Sequence, residues 1–131
     1  MQDKKPSSRE LYNKLKDARD AFEADPNRVF ILCGDPLIHV EDDMEELNLD
    51  DIEDYWDLVY ECIGLAMRNP LQCYAHRSRL KSTYSTLKGQ YLWPFKVHHP
   101  DRDQIIYFKF CIQQDDQGNN YIHIDCHEDR S

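Results

Sequence analysis

A chain of 131 residues that is 40% hydrophobic and 31% charged, with four glycines and six prolines, has the composition of one packed domain and is long enough to bury a core. This composition excludes the low-complexity and disordered classes. The formal charge of −9 is unevenly spread: residues 1–70 carry 8 Lys+Arg against 18 Asp+Glu, and residues 71–131 carry 8 against 7.

No apolar run approaches the roughly 18 residues that a membrane-spanning helix needs, and no apolar leader core follows Met1. A cytoplasmic location is expected. The five cysteines (Cys33, Cys62, Cys73, Cys111, Cys126) are odd in number and widely spaced. They read as reduced, partly buried thiols, with neither a disulfide framework nor a zinc knuckle.

Ser7 and Ser8 can cap a first helix running to Ala24, with Leu11, Leu15, Ala18 and Phe22 on one face. Asp25-Pro26-Asn27 ends it. Val29-Phe30-Ile31-Leu32-Cys33 is a short apolar run bounded by turn residues, hence a buried strand. Leu37, Ile38 and Val40 suggest a second extended piece. The acidic segment that follows reads as a solvated loop leading into a helix.

That helix is the strongest in the sequence. Asp50 and Asp51 supply a cap and negative charge to its first turn, and Ile52, Tyr55/Trp56, Val59, Ile63 and Met67 line one side. Its end is set by Asn69-Pro70, because a residue before proline is pushed out of the helical region. Trp56, on this stripe, is expected to be mostly buried. Residues 71–88 are ambiguous, with Tyr84 and Leu87 compatible with a short basic helix.

From Gly89 the period changes to two. Residues 91–97 read as a strand whose Pro94 points to an edge or a bulge. Residues 104–113 and 121–126 read as two more strands, with turns at Pro100–Asp103 and 115–119. The expected fold class is α+β, with helices packed on one face of a small antiparallel sheet. One domain covers 1–131: a helix, short strand and acidic segment over 1–49, then a helix and three-stranded meander over 50–131.

Four scattered glycines build no phosphate-cradling loop, and the hydrolase and metalloprotease motifs are absent. A basic and histidine-rich set remains: Lys96, His98, His99, Arg102, Tyr107, His123, His127 and Arg130. Cleavage of RNA through its own 2′-hydroxyl needs a base, an acid and a cation for the phosphate. Histidine suits the first two and Arg or Lys the third. Zinc held by His123, Cys126 and His127 with His98 or His99 is chemically possible, but matches no established spacing.

Residues 50–130 resemble the RelE/ParE superfamily, the toxin components of bacterial toxin–antitoxin pairs, and its YafQ-like branch in particular. The resemblance is carried by Asn69-Pro70-Leu71, Leu80-Lys81, Leu87-Lys88-Gly89, Trp93-Pro94-Phe95-Lys96-Val97, Ile105-Ile106-Tyr107 and Ile122-His123-Ile124-Asp125-Cys126-His127. It implies helices on one face of an antiparallel sheet and ribosome-dependent mRNA cleavage without a cofactor. His98 or His99, Asp101 or Asp103, and His127 would occupy the catalytic places, with Lys96, Arg102 and Arg130 on the RNA. It also implies a cognate antitoxin as partner. The competing expectation is a non-catalytic inhibitor or immunity module, whose Asp42, Asp43, Glu45 and Glu46 dock on a basic toxin protein.

Overall fold

The computed structural model describes residues 5–32, 40–78, 80–81 and 89–129. The elements run α1 (Ser8–Ala24), a 3-10 turn (Pro26–Arg28), β1 (Val29–Ile31), α2 (Val40–Glu46), α3 (Ile52–Arg68), α4 (Pro70–Cys73), β2 (Leu80–Lys81), β3 (Tyr91–His99), β4 (Gln104–Gln114) and β5 (Asn120–Glu128). This is an α+β fold with a five-stranded mixed sheet of order β1-β5-β4-β3-β2.

The helix ends follow local chemistry. Ser7 caps α1 by accepting from the Glu10 N–H at 3.1 Å, and Asp51 caps α3 by accepting from the Asp54 N–H at 2.9 Å. Each side chain satisfies a backbone donor that the first turn leaves unpaired. Asn69 ends α3 and Pro70 opens α4, where a missing N–H costs nothing.

Residues 91–128 form the expected antiparallel meander, but as the centre of a wider sheet. The short strand β1 joins β5 in parallel through Val29↔Ile122 and Ile31↔Ile124. It is an edge strand with Phe30 exposed, so the expectation of a buried strand is corrected. Val40 begins a helix instead of extending a strand, and the acidic segment is largely α2. Leu37 and Ile38, like Tyr84 and Leu87, lie outside the described residues.

Pro94 sits in the second strand from the edge. Among the described residues β2 pairs with β3 only at Tyr91 and Leu92, and the proline faces β2's side beyond these pairs. Its carbonyl there accepts from the Ala75 N–H at 2.9 Å, and no ladder bond is lost through the missing donor.

One large core lies between the helices and the sheet. Leu11, Leu15 and Ala18 of α1 and Tyr55, Leu58, Val59, Cys62 and Ile63 of α3 meet Trp93, Phe95 and Val97 (β3), Ile106, Phe108 and Phe110 (β4), and Ile122, Ile124 and Cys126 (β5). Phe95 stacks on Phe108 and Phe110 at centroid distances of 5.5 and 6.0 Å. Trp56 is only half-buried, edge-on to Phe22 and Tyr55, and Ile52 is exposed; of the Tyr55/Trp56 pair it is Tyr55 that enters the core, with Val59 and Ile63. All four described helices pack on this core, and none of them joins the small cluster of Leu32, Leu92 and Cys111 on the opposite face.

The cysteines Cys62, Cys73, Cys111 and Cys126 are free; Cys33 lies outside the described residues. Burial pushes the Cys111 thiol up to about 11. No described helix is long and apolar enough to cross a membrane.

Candidate functional site

Alternation along β3, β4 and β5 sorts the sequence-selected residues onto two faces. Phe95, Val97, Phe108, Ile124 and Cys126 point to the helices, so Lys96, His98, Tyr107, Lys109, Asp125 and His127 point away. The register then places Lys96, Tyr107 and His127 in one row across three adjacent strands.

His127 is the best-defined member of this row. Its ring stacks on Tyr107 with centroids 5.1 Å apart and planes 20° from parallel. Its Nδ1 lies 2.7 Å from the Glu128 carbonyl oxygen. A carbonyl can only accept, so in the neutral ring Nδ1 carries the proton and Nε2 keeps its lone pair. That leaves Nε2 able to take a proton from a substrate.

Lys96 stands at the other end of the row with its Nζ 3.4 Å from Asp129. His98 is next to it along β3, opposite Ile105, and exposed; its Nε2 is 3.8 Å from Asp103 Oδ1 across the β3–β4 turn. Asp103 has φ of 50°, the left-handed region that non-glycine residues visit at a cost. The short aspartate side chain tolerates it better than most.

His99 and Arg102 are placed elsewhere. His99 is buried on the helix side, with Nε2 2.7 Å from Glu61 Oε2 and Nδ1 accepting from the Asp101 N–H at 3.2 Å. Both ring nitrogens are therefore engaged, and the ring pins the β3–β4 turn to α3. Arg102 donates to the Leu47 carbonyl and ties the same turn to the end of α2. His98 and His99, adjacent in sequence, serve opposite faces of the sheet. Arg130 lies outside the described residues.

On β5, His123 faces the same way as His127 but stacks on Phe30 at 5.5 Å, and its Nε2 lies 3.2 Å from Gln113 Oε1. Partial burial holds its pKa below the ordinary imidazole value. Cys126 faces the core, away from both histidines, and no group of three or more His, Cys, Asp or Glu placed to hold a metal occurs among the described residues.

The acidic set divides as well. Asp42, Glu45 and Glu46 lie on exposed positions of α2, whereas Asp43 is buried. Sequence reasoning missed the Glu61–His99 pair, which joins residues 38 apart, and nothing local to either residue signals it. No family model, curated protein or solved structure matches the chain.

Proposed function

We propose that this protein is a toxin-like, metal-independent endoribonuclease of the toxin–antitoxin type, acting on mRNA, with its site on the face of β3, β4 and β5 turned away from the described helices. The observation that carries this reading is the Nδ1 contact of His127 to the Glu128 carbonyl, which leaves Nε2 as a base beside the Tyr107 ring and in one row with the Lys96 ammonium.

His127 Nε2 takes the proton of the 2′-hydroxyl, whose oxygen attacks the adjacent phosphorus. Lys96 neutralises charge on the phosphate oxygens as it builds up. The bond from phosphorus to the 5′-oxygen breaks, and His98, with Asp103 beside it, supplies the leaving oxygen with a proton. Products are a 2′,3′-cyclic phosphate and a 5′-hydroxyl. Strands β3 and β5 flank β4 and His98 lies two residues along β3 from the row, so His98 and His127 start about 12 Å apart at the backbone. That spacing suits an acid and a base on either side of one phosphate.

The net charge of −9 disfavours free RNA as a ligand. The reading therefore favours mRNA presented by a larger assembly such as the ribosome, with a cognate antitoxin covering the face at rest. Induced expression in a bacterial host is the direct test. Growth should slow with the wild type and recover with His127→Ala; a wild type that leaves growth and mRNA intact refutes the proposal.

A further inference from the structure

Independently of the ribonuclease reading, a second site lies on the other side of the sheet. A cavity of about 460 Å³ opens between α1, α3 and the β3–β4 turn, lined by Arg19, Glu61, Gly64, Arg68, His99 and Asp101 among others. This volume falls within the range of small-molecule sites, roughly 300–1,000 Å³.

Two guanidinium groups reach it from two different helices. The Nε of Arg19 is buried with no hydrogen-bond partner. Glu23, the nearest carboxylate, stands 4.0 Å away, beyond hydrogen-bond reach, and itself accepts from the Tyr60 hydroxyl. A buried donor without an acceptor is costly; the Nε is closed to solvent while the side chain is 34% exposed, so an incoming oxyanion meets the outer part of the guanidinium. Arg68 is exposed at the end of α3 and makes no ion pair among the described residues.

The opposite wall carries acceptors. Glu61 is held by the His99 Nε2 at 2.7 Å and keeps its second carboxylate oxygen for a ligand, and the exposed Asp101 adds another carboxylate. Between the walls is Gly64, in the middle of α3, where glycine costs about 1 kcal/mol relative to alanine. A Cβ built there meets nothing within 4 Å, so the missing side chain leaves open space. Guanidinium donors on one side and carboxylate acceptors on the other match a molecule that is anionic at one end and carries hydroxyl groups at the other.

We propose that this cavity binds a small phosphomonoester bearing hydroxyl groups, of the nucleoside monophosphate or sugar phosphate kind. Its phosphate pairs with Arg19 and Arg68, and its hydroxyls donate to Glu61 and Asp101. Bidentate arginine contacts suit phosphate, and the neighbouring carboxylates discriminate against bare inorganic phosphate.

The test is titration of the ¹⁵N-labelled full chain with adenosine 5′-monophosphate, ribose 5-phosphate, inorganic phosphate and adenosine, all at one ionic strength. The amide resonances of Gly64 and Asp101 and the Arg19 side-chain Nε–H should shift saturably with the two organic phosphates. Inorganic phosphate should bind more weakly, and adenosine should not move the arginine signal. Arg68→Ala, at an exposed position, should weaken binding about ten- to a hundredfold, as expected for loss of a charged hydrogen bond. Gly64→Leu fills space that no atom occupies and should block the organic phosphates while the protein stays folded. Absence of saturable shifts, binding unchanged in both variants, or adenosine binding as well as its monophosphate would each overturn the proposal.

Discussion

The hydroxyl of Tyr55 accepts a hydrogen bond of 2.9 Å from the backbone N–H of Cys126, joining residues 71 apart. In β5 the partner on that side is β1, whose last ladder bond runs from the Leu32 N–H to the Ile124 carbonyl. Cys126 is two residues further on, beyond the described pairing of β1. The phenol supplies the acceptor for this N–H, and it fixes α3 against β5 immediately before His127.

Burial, reinforced by nearby Cys126 and Asp125, pushes the Tyr55 hydroxyl far above the usual phenol range, so it stays protonated at any ordinary pH. Tyr55→Phe keeps the ring and orphans the buried Cys126 N–H, at an expected cost of about 1–3 kcal/mol. Tyr55→Ala should cost about 3–5 kcal/mol. The half-buried Trp56 should cost clearly less when truncated to alanine. Urea unfolding of the three variants ranks them, and Trp56→Ala at or above Tyr55→Ala would show that the helix is rotated relative to this account.

Stability should fall in mild acid through His123. Its folded pKa is depressed by burial, so protonation is harder in the folded chain than in the unfolded one. The contribution is fully present above the ordinary imidazole pKa of about 6.5 and is lost as pH falls through the folded value. His123→Gln removes this titration. Chemical denaturation at several pH values between neutrality and pH 5 should show a smaller acid loss for the variant than for the wild type; parallel curves would place the acid sensitivity elsewhere.

The exposed carboxylates of α2 provide a separate check. Asp42, Glu45 and Glu46 face away from the core, so changing all three to their amides should leave the fold intact and mRNA cleavage unchanged. If a basic protein partner exists, association with it should slow and its salt dependence flatten. Loss of that association without any RNA phenotype in His127→Ala would favour the inhibitor reading over the ribonuclease one.

Much of this architecture was legible in the sequence, because local chemistry decides it. The Ser7 and Asp51 caps, the Asn69-Pro70 stop and the period-two runs after Gly89 set four element boundaries. Three features were not legible, each for its own reason. Tyr55 and Trp56 are about 100° apart on the helix, so periodicity leaves the choice between them to the neighbours in space. The parallel pairing of β1 with β5 joins residues more than 90 apart, and no local pattern encodes it. The site was half-read because β3 runs two residues beyond the expected end at Val97; once His98 and His99 belong to a strand, alternation must separate them.

If His127 is the general base of an RNA-cleaving site, the ends left on the cleaved RNA reveal it. Purified wild type and the His127→Ala and His98→Ala variants are incubated with an mRNA, with and without ribosomes, and the new ends are mapped. The wild type should leave 2′,3′-cyclic phosphate and 5′-hydroxyl ends. For His127→Ala the rate should fall about 10²–10⁴-fold, the usual contribution of one general base. No cleavage under either condition, or cleavage by His127→Ala at the wild-type rate, would contradict that role.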